Sequence, residues 1–251
     1  MDHNFRQRLL KGERLVGTMA SLSSPEVIEV LVKAGFEWLF IDGEHSPLDA
    51  GRMQRLLQAA GSQFPCIIRI PDHGEIGIKR ALDIGAAGII APQVNSAQQA
   101  RQIVNYAKYA PLGNRGVGLA RAHGYGFEME EYLHRANEET AIIVQAEHIQ
   151  AVENIREIAG VDGVDAVLIG PYDLSASIGK IGQINDPEVT AAIDRVTETC
   201  LEMGVPLGIF VLTADEVEAY VKKGYTLLGV GIDAVFLGNA AQKTADTVKR
   251  F

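Results

Sequence analysis

The sequence predicts a single-domain (β/α)8 barrel, a TIM barrel, and three observations lead there. Eight short apolar runs recur along the chain, each followed by a segment with helical spacing of its apolar residues. The length, 251 residues, is that of one such barrel. Polar residues also stand at the C-terminal end of nearly every run. A doubly wound open sheet shares the alternation but gathers such residues at one switch point.

In order, Leu15 to Met19 is the first strand, and Ser24-Pro25-Glu26 opens a helix with a cap and a proline in its first turn. Phe36 to Ile41 is the second, ending in Asp42-Gly43-Glu44-His45, with a helix from about Leu48 to Ala60. Cys66-Ile67-Ile68 ends in Arg69 and precedes a helix from Glu75 to Ile84; Gly88 to Ala91 ends in Pro92-Gln93 before a helix from Ala97 to about Tyr106. Ala141 to Val144 opens into Gln145-Ala146-Glu147, and Val164 to Ile169 opens into Gly170-Pro171-Tyr172-Asp173. Between these two, Ile149 to Ala159 is helical, so the unit is a right-handed crossover with both strand ends at one face. Val205 to Val211 and Leu227 to Gly231 complete the series. The glycine-rich stretch from Lys108 to Thr140 is longer than a usual connection; it is expected to be a loop over the barrel mouth.

Composition narrows the function. A content of 47% hydrophobic residues supports a large core, and a net charge of -9 opposes a nucleic-acid partner. No apolar run approaches the roughly 20 residues that cross a bilayer, and the charged N-terminus lacks a signal-peptide core, so a cytoplasmic protein is expected. Only two cysteines occur, Cys66 in an expected strand and Cys200 in an expected helix, which argues against a disulfide framework or thiolate metal site. No Gly-x-Gly-x-x-Gly follows the first strand and no P-loop occurs, which leaves a nucleotide cofactor without support.

In a barrel of this type the strand C-termini form the active site. They deliver Asp42 and His45, Arg69, Gln93, Gln145 and Glu147, Asp173 and Leu212. Taken singly, each has an ordinary explanation: a carboxylate capping the next helix, a structural histidine, an arginine paired with a neighbouring acid. Convergence on one face weakens those explanations together. Glu147 and Asp173 would repel each other unless one is protonated or a hard divalent cation lies between them. Such a cation would chelate a 2-oxo acid, Arg69 would add positive charge for a developing oxyanion, and His45 would move the proton, directly or through a water. No lysine emerges from a strand interior, which argues against a Schiff-base aldolase; Lys79, Lys108, Lys222 and Lys223 fall on helices or in loops.

Phe40-Ile41-Asp42-Gly43-Glu44-His45, Pro111-Leu112-Gly113-Asn114-Arg115-Gly116 and Ile169-Gly170-Pro171-Tyr172-Asp173-Leu174-Ser175 resemble the signatures of the HpcH/HpaI family of class II pyruvate aldolases. The resemblance spans essentially the whole chain. It implies reversible cleavage of a 4-hydroxy-2-oxo acid, of the 4-hydroxy-2-oxoheptanedioate or 2-keto-3-deoxy-sugar-acid type, to pyruvate and an aldehyde, with magnesium, manganese or cobalt. By the same resemblance His45 is the catalytic base, Arg69 the transition-state stabiliser, and Glu147 and Asp173 the metal ligands. Gln145 and the backbone around Tyr172 match pyruvate contacts. The residue after Glu147, often a small hydroxyl residue in the family, is here His148; a structural role is expected for it.

Asp83 matches the acid that raises the basicity of the catalytic histidine. It ends a helix running away from the mouth, so it would reach a His45 only across a subunit interface, in keeping with the family's hexamers. Arg121, in the expected mouth loop, would select an aldehyde that carries a carboxylate. Two other readings stay open at this point. An acyl-CoA lyase of the citryl or malyl kind would need a basic patch for the CoA phosphates, and a silent barrel acting as a binding protein need not retain a divalent ion.

Overall fold

The computed structural model describes residues 4–251. Eight parallel strands close into one barrel in sequence order, as the alternation of elements predicts. They are β1 (Leu15–Ala20), β2 (Trp38–Asp42), β3 (Cys66–Arg69), β4 (Gly88–Ala91), β5 (Ala141–Ala146), β6 (Ala166–Ile169), β7 (Leu207–Val211) and β8 (Leu227–Ile232). The second strand starts later than its apolar run suggests, because Gly35, at φ 97°, still belongs to the preceding turn. In compensation it extends to Asp42, whose register partner on β3 is Arg69.

Helix caps fall where side-chain chemistry puts them. Ser24 accepts the N–H of Val27 at the start of α2 (Pro25–Lys33), following the short α1 (Phe5–Leu10). Asp49, Ser96 and Asp186 do the same for α3 (Ala50–Ala60), α5 (Ala97–Ala107) and α10 (Pro187–Met203). Glycine caps α4 (Glu75–Asp83). The expected crossover helix after β5 is broken at Asn154 into α7 (Ile149–Glu153) and α8 (Ile155–Ala159). Asn154 leaves helical geometry there, and its amide donates to the carbonyl of Asn95 at 2.9 Å.

The core has two layers. Aliphatic side chains such as Ile28, Ile78, Ile103 and Val196 fill the space between strands and helices. A second cluster lies inside the barrel and includes Trp38, Phe40, Ile67, Ile143 and Leu168. Gly17 makes room for Trp38, since a Cβ there would lie 2.4 Å from the indole. Phe5 and Leu9 of α1 plug the N-terminal end, with the Phe5 and Trp38 rings 5.8 Å apart. Arg6 locks this plug through Asp165, which also accepts the Ile142 N–H. Closing one end with bulk leaves the C-terminal end as the open mouth.

The stretch 108–140 does not cover that mouth, which corrects the expectation. Helix α5 descends from the mouth, so Lys108 begins at the far end of the barrel. Its ammonium donates to the carbonyls of Asn137 and Thr140, both at 2.7 Å, pinning the start of the excursion to its finish just before β5. The stretch is also less irregular than its glycines suggest: it holds a 3-10 turn, Arg121–Gly126, and helix α6 (Met129–Glu139). Three further helices complete the chain: α9 (Pro171–Ser177), α11 (Val217–Lys222) and α12 (Asp233–Val248). In α12 only Asp233 is buried, and every residue from Ala234 to Phe251 is exposed.

Candidate active site

The end of β2 organises the mouth. Asp42 is 3% exposed, and its Oδ1 accepts the backbone N–H groups of Glu44 at 3.1 Å and His45 at 3.3 Å, folding residues 42–45 into a tight turn. The same oxygen accepts Nε and Nη2 of Arg69 from β3, each at 2.9 Å. A second carboxylate oxygen, Oε2 of Glu44, stands 3.2 Å from Arg69 Nε, and the guanidinium carbon lies 5.2 Å from the centre of the Phe40 ring inside the barrel. Arg69 is thus fixed from three sides. Gly43 is required at the turn, because a Cβ would fall 2.6 Å from the Arg69 carbonyl oxygen.

The end of β5 supplies the second half. Glu147 is 2% exposed; one carboxylate oxygen accepts the N–H of Gln93 at 2.8 Å, and the other is bonded to the amide of Gln145. Gln93 adopts φ 52°, a left-handed conformation rare for a side-chain-bearing residue, which aims its N–H at Glu147. What Gln93 offers to this contact is therefore its backbone. Burial, then the negative charges of Asp173 and Glu44, push the Glu147 carboxyl up to about 8. Burial also raises Glu44, against the pull of the Arg69 guanidinium. Gly170 at the end of β6 leaves space for this group: a Cβ there would lie 2.6 Å from Glu147 Oε2.

Other residues named from the sequence fall in different places. Asp173 lies in the first turn of α9, at the mouth, and both Glu147 and Glu44 experience its charge. Tyr172 beside it is 45% exposed, and Leu212 just beyond β7 is 36% exposed. His148 caps α7, its Nδ1 accepting the Gln150 N–H at 3.1 Å. Arg121, expected at the mouth, is at the opposite end, where its guanidinium donates to the Ile84 carbonyl beyond α4 at 2.7 Å. Asp83 is at that same end, paired with Arg115 at 2.7 Å. Arg115 is itself buried and stacked 4.6 Å from the Tyr109 ring centre. Lys108, which burial pulls down to about 8, is likewise remote from the mouth. Glu44 is the residue that strand-end reasoning passed over, although it sits inside the Asp42–His45 motif.

The donor set fits a hard divalent cation. Among the described residues no group of three or more His, Cys, Asp or Glu is placed to hold a metal, so the protein would offer a pair of carboxylates, Glu147 and Asp173. Their mutual repulsion and the burial of Glu147 are what a dication would relieve. A further oxygen, Oε1 of Gln145, is buried without a hydrogen-bond partner beside Glu147.

The comparison with known proteins identifies the family. The family model for HpcH/HpaI aldolase/citrate lyase matches residues 16–240. A 5-keto-4-deoxy-D-glucarate aldolase of Enterobacter sp. (strain 638) is 36% identical, over 99% of this chain and 97% of its own length. A hydroxypyruvate/pyruvate aldolase of Pseudomonas aeruginosa is 40% identical, over 98% of this chain and 93% of its own. Among solved structures, an HpcH/HpaI aldolase/citrate lyase family protein from Burkholderia cenocepacia J2315 superposes with a TM-score of 0.94 at 34% identity, covering 98% of this chain and 99% of that one. With a matching family model over most of its length and relatives this similar, the chain belongs to the HpcH/HpaI aldolase/citrate lyase family and is an aldolase/lyase.

Proposed function

We propose that the protein cleaves a 4-hydroxy-2-oxo acid reversibly to pyruvate and an aldehyde. The observation that carries this reading is the buried Glu147, held at a strand end beside Asp173 and across from an immobilised Arg69. A divalent cation on Glu147 and Asp173, magnesium, manganese or cobalt, would polarise the 2-oxo group of the substrate; members of the family generally depend on such an ion.

The chain's own groups account for the remaining steps. His45 takes the proton from the C4 hydroxyl as the C3–C4 bond breaks, releasing the aldehyde and leaving its electron pair as the pyruvate enolate. Arg69 faces the oxygen on which that charge develops. Because Asp42 and Glu44 already fix its orientation, little reorganisation accompanies the reaction. Proton return to C3 gives pyruvate. Gln145 and the backbone at Tyr172 border the space for the substrate carboxylate, and Leu212 offers an apolar contact to the aldehyde portion. The working form in this reading is an oligomer, in which α12 covers Val235, Phe236, Leu237 and Val248 against another copy.

The test is pyruvate release from a panel of 4-hydroxy-2-oxo acids, with and without EDTA, for wild type and His45→Ala. Release abolished by chelation, restored by manganese and lost in His45→Ala is the expected result. Pyruvate release that ignores chelator, or none from any member of the panel, overturns the assignment. Sedimentation as a monomer at micromolar concentration would rule out the assembly.

A further inference from the structure

Glu44 has no part in the scheme above beyond steadying Arg69, yet its geometry is that of a shared contact. Its carboxylate oxygen Oε2 lies 3.2 Å from Arg69 Nε and 3.6 Å from His45 Nε2. One oxygen atom therefore stands between the cation that faces the substrate and the imidazole that moves the proton. The His45 side chain is 66% exposed, so packing does little to hold it. Its backbone is fixed by Asp42, but that bond leaves the ring free to rotate. Of the charges facing Glu44, Asp42 and His45 come from its own turn, Arg69 from β3 and Asp173 from α9. Asp83 sits at the other end of the same barrel, occupied by Arg115.

We propose that Glu44 is the positioning residue for His45, its Oε2 bridging Arg69 and the imidazole so that base and oxyanion stabiliser are set in one geometry by one carboxylate. The inference rests on the reading of His45 as the base. A carboxylate within reach of an imidazole favours its protonated form and orients the ring. Anchoring the same carboxylate on a buried guanidinium limits its own movement. The bridge lies wholly within one chain, so it sets the ring before any contact with a second copy.

The test uses Glu44→Gln and Glu44→Asp in the full-length enzyme saturated with manganese, with His45→Ala alongside. Glu44→Gln keeps the shape and removes the charge. The expected loss is about ten- to a hundredfold in kcat, as for supporting groups of catalytic side chains, with KM for the 2-oxo acid little changed. The acidic limb of the kcat/KM profile should differ from that of wild type, because the charge that orients the imidazole is gone. Glu44→Asp keeps the charge and should restore much of that limb. In the magnesium-loaded enzyme, the His45 ring proton resonance, identified by its absence in His45→Ala, should change position in Glu44→Gln without turnover, because the ring loses the contact that orients it. An unmoved His45 resonance in Glu44→Gln overturns the proposal. So does a rise in KM with kcat and pH limb unchanged, which would confine Glu44 to Arg69. Full activity of His45→Ala would instead sink the assignment of the base itself.

Discussion

Replacing Glu147 by Gln should stabilise the cation-free protein while removing its response to metal. Glu147 has its carboxyl pushed from the ordinary 4.5 to about 8, chiefly by burial. A raised folded-state value means that the protonated form is the one the fold favours. The group's contribution is complete below pH about 4.5 and is lost progressively as pH rises through about 8. At pH 7 the difference of about 2.5 units corresponds to about 3 kcal/mol of stability forgone relative to a neutral isostere. Gln at this position keeps an acceptor for the Gln93 N–H, and a flip of the Gln145 amide would turn its unpartnered Oε1 toward the new amide group. The assay is urea denaturation of EDTA-treated wild type and Glu147→Gln from pH 5 to 8. The two should nearly coincide at pH 5 and separate by several kcal/mol at pH 8, the variant being the more stable. Manganese at a hundred times its dissociation constant should then raise wild type by about 2.7 kcal/mol and the variant hardly at all. Curves that stay parallel across the pH range, or equal stabilisation of both proteins by manganese, would refute the placement of a buried, cation-seeking carboxylate here.

Three further outcomes follow from the same geometry. Gly170→Ala inserts a methyl group 2.6 Å from Glu147 Oε2; pyruvate release should fall at least about tenfold for a cost of about 1–3 kcal/mol in urea, and unchanged release would show that Glu147 moves without consequence. Lys108→Met strips the donors from the Asn137 and Thr140 carbonyls at the far end of the barrel; calorimetry should show a loss of about 1–3 kcal/mol at pH 7 with kcat intact. Since burial lowers Lys108 from 10.5 to about 8, wild type should gain on this variant as pH rises between those values. Asp83→Asn should reduce turnover only if Asp83 reaches the His45 of another copy; unaltered kcat in an oligomer of normal size would confine Asp83 to its pairing with Arg115.

The barrel was legible because its strands are covered on both faces and so appear as unbroken apolar runs, and because each run ends in a polar group. Asp42, Arg69, Glu147 and Asp173 stood out for that reason: the strand-end rule needs only the position of the last apolar residue. The end of the barrel that 108–140 occupies follows from the same logic, not from its composition. Its glycines and Pro111 announce irregular chain but say nothing about which end it occupies. Parity does say so. The stretch follows a helix and precedes a strand, and every such connection lies at the N-terminal face, which removes Arg121 from the mouth.

Glu44 was hidden for a different reason. Beyond the last residue of β2 the alternation of side chains stops, and no period tells which residue of Gly43-Glu44-His45 turns inward. Asp42 decides it, because its Oδ1 collects both the following N–H groups and the Arg69 guanidinium. That single oxygen couples two things usually treated apart: the shape of the turn that presents His45, and the orientation of the charge that faces the substrate. A substitution at Asp42 should therefore disturb both at once, and would be a poor probe of either. Better probes lie one step removed, at Glu44, whose change leaves the turn and the Asp42–Arg69 contacts in place while altering what Oε2 offers to Arg69 and His45, and at Gly170, which bears on Glu147 and Gln145.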